Sequence, residues 1–452
     1  MEKLFKLKEH GTTVKTEIMA GATTFVSMVY ILAVNPAMLA DAGMDSGAVF
    51  TATALSAAAG TLFMAFFTNY PIALASGMGL NAYFTYSVCG ELAAEGIDEP
   101  WRVALAAVFV EGIVFVILSL CNFRERLIND VPSNPKYAIT GGVGLFITFI
   151  GMQGAGIIVA SPSTLVDIGN FDSPQFVLAV AGVILVAILY RFNVKGYILI
   201  GILATWGMGM IAEAVGWYVP DPEAGVYTLF PAFSAGLSLP AAPHFLAFDF
   251  SWVADHVIHF CFITFSFLYV DLFDTVGGLI GIASKGNMLD EDGNLPKAKG
   301  ALLADACGTI AGAALGTSTV TSYIESSAGV VNGGRTGLTS VTTAVLFIAA
   351  LLFSPIFLAI PSFATAPALV WVGLLMMDSV KKIDFSGDIA DTVSGFFTMV
   401  MMPFTYSVSN GIMFGILTWV FLKMITGKIK EIPPVMWISS ILFILRIITL
   451  VA

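Results

Sequence analysis

Residues 69–84 read NYPIALASGMGLNAYF, and residues 316–334 read GTSTVTSYIESSAGVVNGG. Both stretches are mainly apolar, but both contain clusters of Gly, Ser, Thr, Asn or Pro that disfavour a continuous helix. Irregular backbone at membrane depth is tolerated only where it is buried in protein or lines a water-filled cavity. If the chain crosses a membrane, the two stretches therefore predict broken spans around a polar site.

The composition places the chain in a membrane. Of its 452 residues, 57% are hydrophobic and only 11% are charged, with a formal net charge of −11. A soluble domain carries about a quarter charged residues, so a water-soluble fold is excluded. The 4 cysteines set no disulfide framework, and a hydrophobic, acidic chain is neither disordered nor a nucleic-acid binder. We expect an all-α polytopic membrane protein that lies in the lipid bilayer and binds no nucleic acid.

Apolar stretches long enough to cross the hydrocarbon core recur along the whole chain. With the two interrupted stretches they make about fourteen spans, followed by an apolar tail from Pro433 to Ala452 that carries Arg446. The sequence leaves the place of this tail open, with the inner membrane interface as one option. The continuous spans are expected at 21–38, 49–67, 103–120, 137–152, 176–190, 196–214, 253–282, 301–316, 337–360, 366–380, 389–406 and 411–425, and the broken third and tenth spans at 70–89 and 317–331.

The basic residues support this count. Cytoplasmic loops collect Lys and Arg, and with the Lys-rich N-terminus placed inside, every second loop is basic. Of the 20 Lys and Arg residues, all but two then fall on the inner side. Arg102 lies in an outer loop, and the side on which Arg446 lies is ambiguous. We expect both termini in the cytoplasm, a location in the cytoplasmic membrane and, since the basic start runs directly into the first span, no cleavable signal peptide.

The two halves of the chain resemble each other weakly but in the same order. GYILIGILATW at 196–206 is similar to GIMFGILTW at 411–419, and each half has its broken span in third place. Because each half has an odd number of spans, seven, the second copy enters from the opposite face. This predicts inverted repeats, residues 1–220 (spans 1–7) and 221–452 (spans 8–14 and the tail), a frequent plan of secondary transporters. Chance likeness between apolar helices is the alternative.

The broken spans are suited to binding a ligand. Residues 72–76 and 317–322 are expected to form two short extended strands, in spans 3 and 10, that lead into short helices beginning near Gly77 and Glu325. Glycine lets a ligand approach the backbone, helix N-termini offer unpaired N–H groups, and Asn81 adds an amide. Together they predict a polar pocket for a planar, hydrogen-bonding molecule. Close helix packing by small residues is the alternative.

Three of the carboxylic acids inside spans stand out, because such residues are rare there and functional by default. Asp271 and Asp274 share a helical face at i and i+3, and Glu325 lies at the second break. Carboxyl groups held close together in a low dielectric resist simultaneous ionisation, so at least one is expected to carry a proton. Such a group suits proton symport, and its oxygens accept N–H donors from a nucleobase. A capping or pairing role is the alternative, above all for Asp274.

Other polar residues in spans carry weaker expectations. Glu111 is expected either to bond to a neighbouring helix or to contact the substrate. Asp305 lies in the ninth span, near enough to the loop 285–299 that a structural role is expected. His256 and His259 lie near the outer end of the eighth span and are expected to be interfacial polar residues. The sequence contains no metal-ligand cluster, phosphate-binding Gly loop or nucleophile constellation. We therefore expect no metal site, no cofactor and no enzymatic activity.

Four long motifs resemble one known family. GATTFVSMVYILAVNP at 21–36, SGMGLNAYF at 76–84, DLFDTVGGLIG at 271–281 and TSYIESSAGVVNGGRTGLTS at 321–340 are similar to the adenine–guanine–hypoxanthine permease branch of the nucleobase–cation symporter (nucleobase/ascorbate transporter) family. The resemblance covers essentially the whole chain. It implies a core domain (spans 1–4 and 8–11) and a gate domain (spans 5–7 and 12–14). It also implies an elevator-like movement of core against gate, and a homodimer.

The resemblance also implies roles for individual residues. Asp271 and Glu325 are implied to bind the purine and exchange the proton, Asp274 to assist coupling, and Gly79 and Asn81 to shape the pocket. The lesser candidates for substrate contact are Ser322, Ser326 and Thr24.

The hypothesis from the sequence is a proton-coupled importer of adenine, guanine or hypoxanthine, with Na⁺ as the alternative coupling ion. The main rival is an anion exchanger of the same inverted-repeat architecture, which uses the dipoles of the half-helices. Three carboxyl groups near the breaks argue against that rival. A channel or a membrane enzyme is a further rival.

Overall fold

The fold is seen in a computed structural model of the chain. The structure describes residues 2–121, 132–220, 228–230, 239–286, 288–289 and 295–451. Two expectations from the sequence lie outside these residues. One is the inner placement of two of the basic residues, Arg124 and Arg126, and the other is the start of the second repeat at residue 221.

Helices dominate the first half of the chain, and local sequence accounts for their ends. Asp45 Oδ1 accepts a hydrogen bond from Ala48 N at the start of the second long helix, and Asn69, in the left-handed conformation with φ 62°, ends it just before Pro71. The elements are α1 (Glu2–Phe5), α2 (Val14–Met28), α3 (Ile31–Ala40), α4 (Ser46–Thr68), β1 (Leu74–Ser76), α5 (Met78–Ala82), a π-helical segment (Tyr83–Cys89), α6 (Gly90–Ala94), α7 (Pro100–Leu120), α8 (Ser133–Gly154), β2 (Ile158–Ser161), β3 (Leu165–Ile168), α9 (Pro174–Arg191) and α10 (Tyr197–Ala214).

The second half repeats this pattern of long helices and one short strand. Its first long helix is the longest of the described elements and carries Asp271 and Asp274. The elements are α11 (Val257–Lys285), α12 (Ala298–Leu315), β4 (Val320–Ser322), α13 (Ser326–Val331), α14 (Gly337–Ala350), α15 (Ser354–Leu358), α16 (Ser362–Met376), α17 (Ile389–Phe404), α18 (Val408–Ile425) and α19 (Pro434–Val451), with 3₁₀ turns at Trp252–Ala254, Leu351–Phe353, Met377–Lys382 and Ile429–Glu431.

Many of these helices have the length and composition of membrane spans. Among the described residues, 10 helices are long and apolar enough to cross a membrane. Shorter apolar helices occur at Val257–Leu272, Ile389–Phe404 and Pro434–Ile448. The helical, multi-span architecture expected from the sequence is confirmed, while the count of fourteen spans stays a prediction.

The two broken spans meet in a small antiparallel sheet. β1 pairs with β4 in the register Leu74↔Ser322, Ala75↔Thr321 and Ser76↔Val320. The extended pieces expected in spans 3 and 10 are therefore present, and they bond to each other. A second sheet, β2–β3, lies between α8 and α9.

Glycines let two long helices cross beside the strand pair. A Cβ on Gly308 of α12 would lie 3.3 Å from the Gly60 Cα of α4 and 3.2 Å from Val320 Cγ1 of β4. Small residues at such crossings allow close backbone approach within a membrane protein. The crossing of α4 and α12 therefore leaves room for the side chains of both strands.

The long helices pack in two sets. In one set α4 lies against α12 and α14, α7 lies against α12 and α11, and α2 lies against α14. In the other set α8 lies against α16 and α17, α9 lies against α10 and α16, and α17 lies against α18. Both sets contain helices from each half of the chain.

Glu17, in α2, is fully buried and received no role from the sequence. Its carboxylate oxygens accept hydrogen bonds from the backbone N–H groups of Arg335, Thr336 and Thr339. They also accept from the hydroxyls of Thr336 and Thr339, at 2.9 and 2.6 Å. The first N–H groups of a helix have no intrahelical acceptor, so Glu17 caps α14 and fastens it to the first span.

The C-terminal tail forms α19, which packs against α11 and α18. Arg446 in this helix is 3% exposed and contacts the carboxylate of Glu91, in α6. A buried guanidinium requires an anionic partner, and Glu91 provides it. The tail is therefore packed into the helix assembly as α19, while its placement along the inner interface stays a prediction.

Replacing Glu17 by Ala is expected to destabilise the fold, because it leaves buried donors at the start of α14 without an acceptor. We expect a loss of about 3 kcal/mol or more. The measurement is the thermal unfolding of the purified protein. Glu9→Ala is the matched control, because Glu9 is 65% exposed and, within the described part of the chain, forms its ion pair with Lys6. Equal melting temperatures for the two variants would contradict the capping role.

Candidate functional site

The strand pair places the starts of two half-helices at its two ends. Gly77 N donates to Thr319 O at 3.0 Å, and Gly77 is the N-cap of α5. Tyr323 N donates to Ala73 O at 3.0 Å, and Glu325 is the N-cap of α13. The helix starts expected near Gly77 and Glu325 are confirmed. Each of these helices therefore begins at the sheet. In α13 the first N–H groups already have acceptors, because Ser326 N donates to Tyr323 O and Ser327 N donates to Ile324 O, both at 3.0 Å.

Hydroxyl groups fasten the outer edges of the sheet. The Ser326 hydroxyl accepts from Ala73 N at 2.9 Å, and Tyr323 OH donates to Ser76 O at 2.6 Å. The Ser322 hydroxyl donates to the carbonyl of Thr275 at 3.3 Å. The hydroxyls of Ser326 and Ser322 are therefore bonded to backbone, which is a structural use of two residues that the sequence offered as lesser substrate contacts.

Two buried carboxyl groups meet at one threonine hydroxyl. Thr275 Oγ1 lies 3.0 Å from Asp271 Oδ1 and 3.0 Å from both carboxylate oxygens of Asp305. It also lies 2.8 Å from Thr321 Oγ1, in β4. Asp271, Thr275 and Asp305 are all fully buried. Because one hydroxyl has a single hydrogen, the two carboxyl groups share it as a donor.

Asp305 lies inside a helix of the length and composition of a membrane span, as the sequence placed it. This helix, α12, begins at Ala298, so Asp305 is two turns inside it. Both carboxylate oxygens of Asp305 lie 3.0 Å from Thr275 Oγ1, which brings Asp305 to the candidate site. The structural role expected for Asp305 stays a prediction.

Asp274, one helical turn after Asp271, faces a small cavity between the two sets of helices. The cavity has a volume of about 10 Å³, which is near the minimum needed to hold one water molecule. A ligand of several atoms enters only if the surrounding helices separate. The lining residues are Gly79, Ile139, Thr140, Val143, Val270, Asp274 and Met376.

Gly79 allows the close contact that narrows this cavity. A Cβ at Gly79, in α5, would lie 2.5 Å from Val143 Cγ1, in α8. Any larger residue at this position requires α5 and α8 to move apart. The Gly79 position therefore sets the distance between the first broken span and α8.

A second cavity, of about 60 Å³, lies further along α8. It is bounded by α3, the π-helical segment, α8 and α16. Aromatic rings lie beside it: the Tyr406 ring is 5.7 Å from that of Tyr86 and 5.5 Å from that of Phe146. The lining residues are Val34, Ala37, Met38, Asp41, Tyr86, Ile150, Gly151, Gly154, Ser362, Thr365 and Leu369.

Glu325 is partly buried at the start of α13, and its Oε1 accepts a hydrogen bond of 2.7 Å from Tyr30 OH. Tyr30 lies between α2 and α3, where the first span is interrupted, and is 1% exposed. The sequence gave Tyr30 no role. A tyrosine in the middle of an otherwise apolar span was the available signal.

Asn81 and Thr24 both have buried polar side-chain atoms. Asn81 is fully buried, and its Oδ1 accepts a hydrogen bond from the Ser318 hydroxyl. Among the described residues, neither Asn81 Nδ2 nor Thr24 Oγ1 has a hydrogen-bond partner. Buried donors without a partner are costly, so the Asn81 amide is a group that a bound molecule would satisfy.

Glu111, in α7, accepts a hydrogen bond of 2.9 Å from the Thr319 hydroxyl. Of the two placements that the sequence left open, this bond supports contact with a neighbouring element. It ties the fourth span to the second broken span, one residue before β4.

A separate charged cluster involves His259, which the sequence placed at the interface. His259 is only 5% exposed, and its ring nitrogens lie 3.6 and 3.4 Å from oxygens of Glu91 and Glu95. His259 is thus enclosed by protein in the first turn of α11, and its placement at the level of the membrane interface stays a prediction. These three side chains have the spacing of metal ligands, but Arg446 contacts the same Glu91 oxygen that faces His259. The guanidinium blocks this oxygen and repels a cation, so we assign no metal here.

Comparison with known proteins identifies the family. The sequence model of the Permease family matches residues 15–414. The chain is 43% identical to the guanine/hypoxanthine permease PbuG of Bacillus subtilis, with 100% of both chains covered. It is 39% identical to the adenine permease AdeP of Escherichia coli, with 99% of this chain and 96% of that protein covered.

Solved structures give the fold. The transmembrane domain of the bicarbonate transporter BicA from a cyanobacterium is similar with a TM-score of 0.64, at 14% sequence identity, over 89% of this chain and 97% of that one. At this identity the likeness concerns the fold alone.

The apolar helices and the matched relatives show the class of protein. It is a multi-pass integral membrane protein, and a transporter rather than an enzyme. The chain belongs to the Permease family, in the branch of adenine and guanine/hypoxanthine permeases. The resemblance noted from the four sequence motifs is thus confirmed.

Gly79→Ala is expected to destabilise the protein, because the added methyl group meets Val143. Overpacking of this kind costs about 1–3 kcal/mol. The double variant Gly79→Ala/Val143→Ala removes the clash and is expected to recover most of the loss, as measured by thermal unfolding. Gly90→Ala is the control, since a Cβ there meets nothing within 4 Å. A double variant no more stable than Gly79→Ala would show that the contact is not the cause.

Proposed function

We propose that this protein is a proton-coupled secondary transporter that imports purine nucleobases, namely adenine, guanine and hypoxanthine. The relatives named as adenine and guanine/hypoxanthine permeases, which match along almost their full length, support the substrate class. The observation that carries the proposal is the arrangement of Asp274, Glu325 and Asn81 around a strand pair formed by two broken spans.

The substrate class agrees with the chemistry of the site. A purine base is flat and presents both N–H donors and nitrogen or oxygen acceptors along its edge. Glu325 and Asp274 supply acceptors for N–H groups, and the Asn81 amide supplies a donor. Gly79 lets the ring lie close to the backbone. We propose that these four residues contact the base.

The position of Asp271 supports a role with the proton. Its carboxyl group is fully buried and meets Asp305 at the Thr275 hydroxyl, whereas Asp274 lines the cavity. Two buried carboxyl groups that share one donor are stabilised by an added proton. We therefore propose that Asp271, with Thr275 and Asp305, holds the coupling proton. In this proposal Asp274 and Glu325 link the proton site to the substrate. The coupling ion is then H⁺ rather than Na⁺.

The packing supports an elevator-like movement. The strand pair and its helices form one unit, and α8 meets that unit at Gly79, where the cavity is too small for a base. We propose a core of spans 1–4 and 8–11 and a gate of spans 5–7 and 12–14, built from inverted repeats at 1–220 and 221–452. In this proposal the protein has fourteen spans, works as a homodimer in the cytoplasmic membrane and has both termini inside.

An anion exchanger is the second candidate, because a bicarbonate transporter has the same fold. In that case the half-helix N-termini hold the anion. Asp274, Glu325 and Asp271 lie beside those N-termini and disfavour a negatively charged ligand. The proposal therefore predicts uptake of purines and no exchange of bicarbonate or sulfate.

Uptake of labelled hypoxanthine, guanine and adenine tests the function, in a bacterial strain that lacks its own purine uptake. The wild-type protein is expected to concentrate a purine above the external level, and a protonophore is expected to abolish this. Asp271→Asn, Asp274→Asn and Glu325→Gln are each expected to lower uptake by about tenfold or more at equal membrane abundance, because each removes a charged hydrogen-bonding group.

The matched control is Asp378→Asn, an exposed carboxylate that pairs with Lys381 and lies away from the broken spans. It is expected to transport like the wild type. Full uptake by all three site variants would refute the assignment of the site. Accumulation that depends on Na⁺ and resists the protonophore would refute proton coupling.

A further inference from the structure

Tyr30 lies at the interruption of the first span, on a backbone that is held in place. α2 ends at Met28 and α3 begins at Ile31. The Tyr30 carbonyl accepts hydrogen bonds from Ala33 N and Val34 N, both at 3.0 Å. The residue is 1% exposed, so its ring is enclosed by protein. The direction of its hydroxyl is therefore set by the surrounding packing.

This hydroxyl donates to one oxygen of a carboxyl group at the second break. The distance from Tyr30 OH to Glu325 Oε1 is 2.7 Å, which is typical of a short O–H···O bond to a carboxylate. A glutamate side chain has several rotamers, and a ligand that requires one of them bears the cost of ordering it. The bond from Tyr30 selects one rotamer before any ligand arrives.

The bond also separates the functions of the two carboxyl oxygens. Oε1 is occupied by Tyr30, so a planar base that donates an N–H group to Glu325 meets Oε2. The residue two positions earlier, Tyr323, donates its hydroxyl to Ser76 O across the strand pair. The segment on which Glu325 is carried is thus fixed as well as its side chain.

We infer that Tyr30 is a positioning residue for purine binding: it holds Glu325 in the rotamer that presents Oε2 to an N–H group of the base. The inference rests on the proposed function and deepens it. Tyr30 acts through Glu325 and needs no contact with the base.

Transport kinetics of Tyr30→Phe test this role. In uptake of labelled hypoxanthine, the variant is expected to raise KM by about tenfold or more, because a hydrogen bond to a charged group is lost from the binding step. Vmax is expected to change less than KM. Tyr269→Phe is the matched control: Tyr269 is also fully buried, and its hydroxyl lies 3.8 Å from the sulfur of Met436. It is expected to keep the wild-type KM.

A double-mutant cycle separates positioning from general damage. Glu325→Asp keeps the carboxyl group but withdraws it from Tyr30 by one methylene. Hypoxanthine binding to the purified variants is measured from the ligand-induced rise in melting temperature, which reports only on folded protein. The affinity of Tyr30→Phe/Glu325→Asp is expected to equal that of Glu325→Asp alone, since the two changes break the same bond.

The outcomes distinguish the inference from the function on which it rests. Additive losses in the cycle, or a KM of Tyr30→Phe equal to that of Tyr269→Phe, would overturn the role of Tyr30 while purine transport by the wild type stands. A wild-type protein that neither binds nor accumulates any of the three purines would overturn the proposed function itself.

Discussion

Backbone hydrogen bonding between β1 and β4 is the constraint on which the rest of the structure depends. An unpaired N–H or C=O group in an apolar interior costs several kcal/mol, so a span can leave the helical conformation only if another element satisfies its backbone. Here each broken span satisfies the other. Buried hydroxyls complete the pairing: Thr61 bonds to Leu74 and Thr309 to Val320.

Residues 317–322 are mostly Thr and Ser; they lead into β4 and include it. Their hydroxyls bond to most of the buried polar groups described at the site. These hydroxyls alternate in direction along the extended chain, so successive residues reach different helices. This explains why acids on α7, α11 and α12 all lie near one short strand. The bonds run from Thr317 to Asn35 and Ser76, from Ser318 to Asn81, from Thr319 to Glu111, and from Thr321 and Ser322 to Thr275.

Features that depend on local chemistry were predictable from the sequence. Pro71 and the glycines after it interrupt one span, and the starts of both half-helices follow from the same residues. The membrane class and the family follow from composition and from long motifs. The structure adds that the two interruptions bond to each other, which no local pattern contains.

Features that depend on which helical face meets which neighbour were not predictable. Asp271 and Asp274 share a broad face by spacing, yet one bonds inside the core network and the other lines the cavity. Asp305 and Tyr30 join the site only because α12 and the first span pack beside β4 and α13. Arg446 was ambiguous in the sequence since its partner, Glu91, is more than 300 residues away in the chain.

The energetics of the strand pair also decide how the site can open. Separating β1 from β4 would expose several backbone groups at once, at several kcal/mol for each one. The contact between Gly79 and Val143, by contrast, is apolar and contains no hydrogen bond, so α8 can slide along α5 while lipid or other side chains replace its contacts at much lower cost. In the proposed elevator-like movement, α8 would move away from an intact strand pair and so open a path into the cavity. The half-helices that carry Asn81 and Glu325 would then keep their relative positions, and a flat ligand would meet the same hydrogen-bond geometry.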